Sequence, residues 1–153
     1  MKYWLMKSEP DVYGIDHLRA EKRKTDHWDG IRNYQARNFM RDEMKKGDLA
    51  FFYHSNCEEP AIVGVMEIVR EGYPDNTAFL ASEKYFDAKS DPDNPRWFMV
   101  DIRAEAPLPN DVTLAQIKAT SGLENMSLVK RARLSIHPVT VEEWEIIMEL
   151  ASG

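Results

Sequence analysis

The chain has 153 residues, 43% of them hydrophobic, which is enough for one compact domain with a sizeable core but cramped for two. Its formal net charge of −6 at pH 7 argues against a protein that coats nucleic acid through a large basic surface. No apolar run approaches the roughly 20 residues that span a bilayer, and the single cysteine cannot form an intramolecular disulfide. We therefore expect one cytoplasmic, monomeric domain over residues 1–153, without membrane contact.

The N-terminal third predicts a strand followed by helices. Residues 2–7 are typical of a strand, and a short helix is expected near 15–21. A longer amphipathic helix is predicted over 31–45, with Gly47 as its C-terminal stop signal. One face of this helix carries a basic stripe formed by Arg37, Arg41 and Lys45.

The remainder of the chain predicts several strands with helices after them. The expected elements are strands at 48–54, 61–70 and 96–105, a helix at 113–119, a short strand around 134–136 and a final helix from Thr140. Both helices begin with a capping-box pattern, and a proline-containing surface loop precedes the third of these strands. Because the elements follow no regular βαβ order, they predict an α+β domain or a small open barrel rather than a doubly wound sheet.

Two segments place aromatic side chains beside polar groups, as the recognition of a nucleobase requires. The first strand runs into Lys7 and Ser8, and a second polar-aromatic block covers residues 28–35. Trp28 and Trp97 offer flat faces on which a base can stack, an interaction worth roughly 1–3 kcal/mol. The polar groups suited to contact the edge of that base are Lys7, Ser8, Arg32 and Asn33. The sequence thus predicts a nucleobase-recognition module.

Several of these candidates also have a structural explanation. Gly30 either lets a ligand approach closely or serves a turn, and Asn33 either presents its amide to a base or caps a helix. Arg32 either contacts phosphate or stacks, or is an ordinary surface charge. His54 and Ser55 end a strand, where they either line the pocket or satisfy the hairpin backbone.

Four segments carry a family resemblance, at residues 4–10, 28–38, 51–56 and 133–136. In order and over nearly the whole chain, they resemble the EVE domain. The chain is similar to the thymocyte nuclear protein family and its bacterial single-domain relatives, which belong to the PUA-like superfamily with the YTH and ASCH domains. The resemblance implies a PUA-like open β-barrel flanked by several short helices, with a pocket that accepts one base.

The more distant resemblance to YTH domains implies roles for individual residues. Lys7 and Ser8 resemble the strand end beside an aromatic cage, and Trp28 and Trp97 resemble the two walls of that cage. The complete expected base-binding set is Lys7, Ser8, Trp28, Gly30, Ile31, Arg32, Asn33, Tyr53, His54, Ser55 and Trp97. Arg37 and Arg41 are expected to hold the nucleic-acid backbone. We expect the target to be DNA carrying a modified base, most simply a modified cytosine, with modified RNA as the alternative.

Catalysis is the competing interpretation. Ser8 beside Lys7 is compatible with an amidohydrolase acting on acylated nucleosides, as in some ASCH relatives, but neighbouring strand residues point to opposite faces. Cys57 near His54 lacks an orienting acid. Since the chain also has no metal-binding or phosphate-loop motif, we expect a non-catalytic module without a cofactor. A third possibility is a protein-interaction module that uses the acidic C-terminal helix and the proline-containing loop.

Overall fold

A computed structural model describes residues 1–153 and is organised around a seven-stranded sheet. The strands are β1 (Tyr3–Ser8), β2 (Thr25–Trp28), β3 (Leu49–His54), β4 (Ala61–Pro74), β5 (Phe98–Ala104), β6 (Val112–Thr113) and β7 (Ile136–Val139). The α-helices are α1 (Pro10–Tyr13), α2 (Ile15–Ala20), α3 (Tyr34–Asn38), α4 (Leu114–Ala119), α5 (Ser127–Lys130) and α6 (Val141–Ser152). Short helical turns occur at Lys22–Lys24 and Asn76–Phe79, and a π-helical turn at Phe39–Glu43 directly continues α3. None of the helices is both long and apolar enough to cross a bilayer.

The sheet is mixed and open. Its strand order is β2-β5-β4-β3-β1-β7, with β6 paired to β4. Strands β1 and β3 are parallel, so that Lys7 lies beside Tyr53 and Ser8 beside His54 at a common edge. The other pairings are antiparallel, and β7 therefore begins where β1 ends. Together with the short helices, this arrangement confirms the predicted α+β class.

Both faces of the central strands are buried, because alternate side chains enter two separate cores. On β1, Trp4 and Met6 belong to the first core, whereas Leu5 belongs to the second. Helices α2 and α3 cover the first core, to which they contribute Ile15, Leu18 and Ala36. Helices α4, α5 and α6 cover the second core with Ile117, Leu128, Trp144, Ile147 and Ala151. Two helical layers thus fix the sheet and leave its strand ends free to form a site.

The capping-box signals mark the starts of two helices correctly, whereas the helix predicted over 31–45 differs in both its start and its extent. Side chains of Thr113 and Thr140 accept hydrogen bonds from the backbone N–H groups of Gln116 and Glu143, which confirms both capping boxes. The helix predicted over 31–45 begins only at Tyr34, and its last turn widens into the π-helical turn. Strand β2 was not predicted, since its four residues include only one large apolar side chain.

A buried carboxylate fixes the start of β1. Asp48 is only 3% exposed and accepts hydrogen bonds from the Trp4 Nε1–H at 3.0 Å and from two backbone N–H groups, those of Lys2 at 3.1 Å and Lys45 at 3.0 Å. It therefore joins the strand to the turn that leads into β3. Three buried or half-buried donors depend on this one side chain.

Replacing Asp48 by alanine should destabilise the protein by about 3 kcal/mol, because unpaired buried donors each cost roughly 1–3 kcal/mol. Urea unfolding measures this change. Asp16→Ala is the matched control, since the Asp16 side chain is 95% exposed and its removal should change the free energy of unfolding by about 0.5 kcal/mol or less. Equal effects for the two variants would contradict the assigned role of Asp48.

Candidate functional site

A cavity of about 870 Å³ opens where β1 and β2 end and β7 begins. Its volume is in the range of pockets that enclose a small ligand. The predicted residues that line it are Lys7, Ser8, Trp28, Gly30, Ile31, Arg32 and Ser55. The topology brings them together because β1 lies between β3 and β7, and the loops after β2 and β3 close over its end.

Lys7 and Ser8 form the polar floor at the end of β1. The Lys7 ammonium donates to the Ala132 carbonyl oxygen at 2.6 Å, which leaves two of its three hydrogens for another partner. Burial lowers the pKa of Lys7 from its ordinary value. The Ser8 hydroxyl donates to the Tyr13 carbonyl oxygen at 2.6 Å, so its oxygen faces a ligand as an acceptor. No hydrogen bond joins Lys7 to Ser8, so a serine–lysine catalytic pair is not formed.

Of the two tryptophans predicted to form a cage, only Trp28 lines the cavity. Trp28 lines the cavity from the end of β2, although it is only 7% exposed and packs edge-on against Phe52 with ring centroids 5.3 Å apart. Trp97 does not line the cavity. It stacks on Tyr34 at 4.9 Å, and its Nε1–H donates to the Asp87 carboxylate at 2.6 Å. The aromatic side chain that does reach the cavity from the long loop before β5 is Tyr85, which sequence reasoning missed.

Gly30 lies directly against Tyr85. Its φ of +77° is in the left-handed region, and a Cβ placed there would lie 2.5 Å from a Tyr85 ring carbon. The Gly30 N–H donates to the Asp75 carboxylate at 2.9 Å. Gly30 therefore serves both a turn and a close approach, and the approaching group is a side chain of the cavity wall.

Arg32 is a structural clamp rather than a free cation. Its guanidinium donates at 2.5 and 2.9 Å to the Tyr85 carbonyl oxygen, and at 3.1 Å to the Asp75 carboxylate. Its other bonds go to the Ile31 carbonyl oxygen at 3.0 Å and the Thr77 hydroxyl at 3.3 Å. These bonds occupy all five guanidinium hydrogens. The expected phosphate contact by Arg32 is therefore replaced by a clamp that holds the Tyr85 loop.

Asn33 and the helix cations also have structural partners. Asn33 caps α3, since its side-chain oxygen accepts the Ala36 N–H at 2.9 Å, and it lies outside the main cavity. Arg37 is half-buried and donates to the Arg96 carbonyl oxygen at 2.6 Å. Arg41 is paired with the Asp42 carboxylate at 2.8 Å. None of the three lines the main cavity, and both expected backbone cations are already engaged within the protein.

Tyr53 and His54 support the site from beneath instead of lining it. Tyr53 is buried in the second core, 5.9 Å below the Lys7 ammonium. His54 Nε2 accepts the Ile15 N–H at 3.1 Å, and burial lowers the pKa of this imidazole. Since Nε2 is the acceptor, the neutral ring carries its proton on Nδ1. His54 thus satisfies the start of α2, which corrects its assignment as pocket lining.

The acidic side of the cavity was not predicted. Asp26 accepts the Tyr13 hydroxyl at 2.6 Å, and His27 Nε2 lies 3.7 Å from the Asp29 carboxylate. Asp26, His27 and Asp29 all line the cavity, and burial raises the pKa of Asp29. In the sequence these residues are indistinguishable from surface charges, because only the tertiary fold brings the end of β2 to the cavity at the end of β1.

The sequence profile of the EVE domain family matches residues 2–150 of the chain. The chain belongs to the EVE domain family. Human thymocyte nuclear protein 1 is 46% identical over 97% of this chain and 73% of that protein. The structure of human THYN1 protein in complex with DNA containing 5-methylcytosine covers 100% of this chain and 99% of that one, at 45% identity and a TM-score of 0.95.

A more distant neighbour agrees in fold alone. The YTH domain of Zygosaccharomyces rouxii MRB1, solved with N6-methyladenosine RNA, covers 99% of this chain and 86% of that one at a TM-score of 0.56. The two are 13% identical, so the comparison supports the architecture and not individual residue roles. Both the EVE domain resemblance and the PUA-like fold expected from the sequence are confirmed.

In this EVE domain, Gly30→Ala should reduce the free energy of unfolding more than Gly47→Ala. Gly47 has a similar left-handed φ of +97° but nothing within 4 Å of the added Cβ, so its variant should lose only the backbone cost of about 1–2 kcal/mol. Gly30→Ala adds displacement of Tyr85, worth about 1–3 kcal/mol more. Urea unfolding compares them, and equal losses would mean that Tyr85 moves aside without cost.

Asp75 should make the stability of this EVE domain depend on pH. Burial opposes its ionisation, but hydrogen bonds from Thr77, Gly30 and Arg32 hold the pKa of Asp75 below its ordinary value. The ionised form is thus favoured in the folded state above about pH 4, and this contribution is lost as the pH falls through the folded-state pKa of Asp75. Asp75→Asn should therefore cost about 3 kcal/mol at pH 7 and progressively less in acid.

Urea unfolding of both proteins between pH 3 and 7 tests this dependence. Asp93→Asn is the control, because Asp93 is exposed and its carboxylate makes no hydrogen bond or ion pair. A difference between wild type and Asp75→Asn that stays constant over the whole range would show that Asp75 is not ionised at pH 7.

Proposed function

We propose that this protein binds a single modified nucleobase, most simply a C5-modified cytosine in DNA. One observation carries the proposal: over its whole length the chain matches, in sequence and fold, a protein that was solved in complex with DNA containing 5-methylcytosine. The cavity at the strand ends supports it independently, since 870 Å³ is ample for one base.

The cavity offers both kinds of group that the edge of a cytosine needs. A cytosine presents its exocyclic amine as a donor and its ring nitrogen and carbonyl oxygen as acceptors. The carboxylate of Asp29 is suited to accept from the amine, and the two free hydrogens of the Lys7 ammonium are suited to donate to the acceptors. The half-buried Asp29 is the more selective of the two, because a carboxylate left unpaired in such a site is costly.

Aromatic surfaces complete the pocket. In our proposal Tyr85, rather than Trp97, forms the second aromatic wall. Tyr85 lines the cavity, and Arg32 holds it in place by binding its carbonyl oxygen. Trp28, at the end of β2, contributes the other aromatic surface of the cavity. A base can reach such a recessed pocket only when it is swung out of its strand, which favours mismatched, modified or single-stranded targets.

Binding without catalysis is the simpler role for the nucleophilic side chains. The proton of Ser8 is directed to a carbonyl oxygen rather than to a base. The thiol of Cys57 lies 3.8 Å from the backbone oxygen of His54, and the His54 ring is turned toward α2. Neither nucleophile has a neighbouring general base that could activate it.

The proposal is tested by fluorescence anisotropy with short DNA and RNA strands and duplexes at fixed ionic strength. Each set carries an unmodified, C5-methylated or N6-methylated base at one site. We expect tighter binding of C5-methylated DNA. Equal affinities for all oligonucleotides would contradict base recognition, whereas a preference for N6-methylated RNA would establish the alternative target.

Tyr85→Ala should weaken the binding of C5-methylated DNA about 5- to 150-fold, which corresponds to the loss of roughly 1–3 kcal/mol of stacking. Tyr85→Phe should retain binding, because the ring remains. Trp97→Ala is the comparison for the predicted two-tryptophan cage; in protein shown to be folded by circular dichroism, it should lower the affinity less than Tyr85→Ala does. If Trp97→Ala abolishes binding while Tyr85→Ala does not, Trp97 is the cage wall and Tyr85 is not.

A further inference from the structure

A second, smaller cavity adjoins the proposed base pocket. It has a volume of about 400 Å³ and shares Ala132, Arg133 and Leu134 with the first cavity. The remaining residues around it are Asn33, Gln35, Lys130 and Arg131. No carboxylate lines it, although the protein as a whole is acidic.

The cations that line the second cavity are exposed and are not paired with acidic side chains, unlike Arg32 and Arg41. Lys130, Arg131 and Arg133 are all exposed, and none of them takes part in an ion pair. Arg131 donates only to the Gln35 side-chain oxygen. By contrast, Arg32 is fully occupied within the protein, and Arg41 is paired with Asp42. Besides Lys7 and the exposed Lys84, which line the base pocket itself, the free positive charge beside the pocket lies in the 130–133 segment.

Hydrogen bonds fix the backbone of this segment, whereas the side chains of Lys130 and Arg133 make none. The Arg131 N–H donates to the Ser127 carbonyl oxygen at 2.7 Å, and the Leu134 N–H to the Arg131 carbonyl oxygen at 3.1 Å. The carbonyl oxygen of Ala132 accepts from Lys7, and buried Leu134 anchors the end. A fixed loop that presents several long cations is suited to bind an extended chain of phosphates.

We propose that Lys130, Arg131 and Arg133 form a phosphate-binding rim that holds the backbone next to the extruded nucleotide. This inference rests on the proposed function. Arg133 borders both cavities, so a nucleotide whose base enters the first cavity has its flanking phosphate beside the second. The occupant is a nucleic-acid backbone, because a polyanion continuous with the bound base gains from the rim without a second binding surface.

The test removes two rim charges with little risk to the fold. Neither the Lys130 nor the Arg133 side chain makes a hydrogen bond within the protein, so Lys130→Ala/Arg133→Ala should fold normally. Lys22→Ala/Lys118→Ala is the matched control, since it removes the same charge from two exposed lysines without partners elsewhere on the surface. Lys130→Arg/Arg133→Lys keeps the charge in place and checks for a purely structural effect.

Dissociation constants are measured against salt concentration for methylated and unmodified oligonucleotides, together with binding of free 5-methylcytidine. In the rim variant, the slope of log affinity against log salt should become shallower by about 1.4 to 1.8, as expected for two lost phosphate contacts. The ratio of methylated to unmodified affinity should not change, because both oligonucleotides carry the same phosphates, and binding of the free nucleoside should not change in Lys130→Ala alone, since Lys130 lines only the second cavity. The control and the charge-preserving variant should keep the wild-type slope.

The two proposals fail in different ways. If the wild type prefers the methylated base but the rim variant and the control have the same slope, the rim proposal is wrong and the proposed function stands. If the wild type shows salt-dependent binding without base preference, and the rim variant reduces the slope, base recognition is wrong and the rim is a general anion surface. If no oligonucleotide binds, both are overturned.

Discussion

The candidate site depends on one buried carboxylate. Asp75 is fully buried and accepts hydrogen bonds from the Gly30 N–H, from the Arg32 guanidinium, and from both the N–H and the hydroxyl of Thr77. The loop after β2 and the long loop before β5 have no sheet pairing with each other, so this carboxylate and Arg32 supply the connection. Tyr85 reaches the cavity because Arg32, itself fixed by Asp75, binds the Tyr85 carbonyl oxygen.

Burying the Arg32–Asp75 ion pair carries a desolvation cost, but the geometry of the pair fixes the orientation of the two loops. An apolar cluster of equal volume is often as stable as a buried pair, but it does not fix direction as well. A guanidinium with five occupied donors has a single orientation, and a carboxylate with four donors around it has little freedom to move. We infer that the pair keeps the cavity open and its aromatic wall in position before any ligand arrives, which lowers the entropic cost of binding.

The sequence predicted those parts of the site that depend on local patterning. Lys7 and Ser8 end a short continuous apolar run that predicts a buried strand, and the capping box at Thr140 needs only four consecutive residues. Trp97 could not be assigned in this way, because any tryptophan near a polar loop looks like a cage wall until its partner Asp87 is known. Tyr85 and the rim cations lie in segments with no periodicity, so only tertiary contacts bring them to the cavity.

Lys7 connects the two halves of the proposed mechanism. Its ammonium binds the Ala132 carbonyl oxygen within the rim segment, while its remaining hydrogens face the cavity, so one side chain contributes to both surfaces. In the proposed binding mode, the recessed pocket with its acidic and aromatic walls supplies selectivity and the small basic rim supplies affinity. The rim would hold the backbone beside the pocket, and that orientation would direct the extruded base toward Lys7 and Asp29.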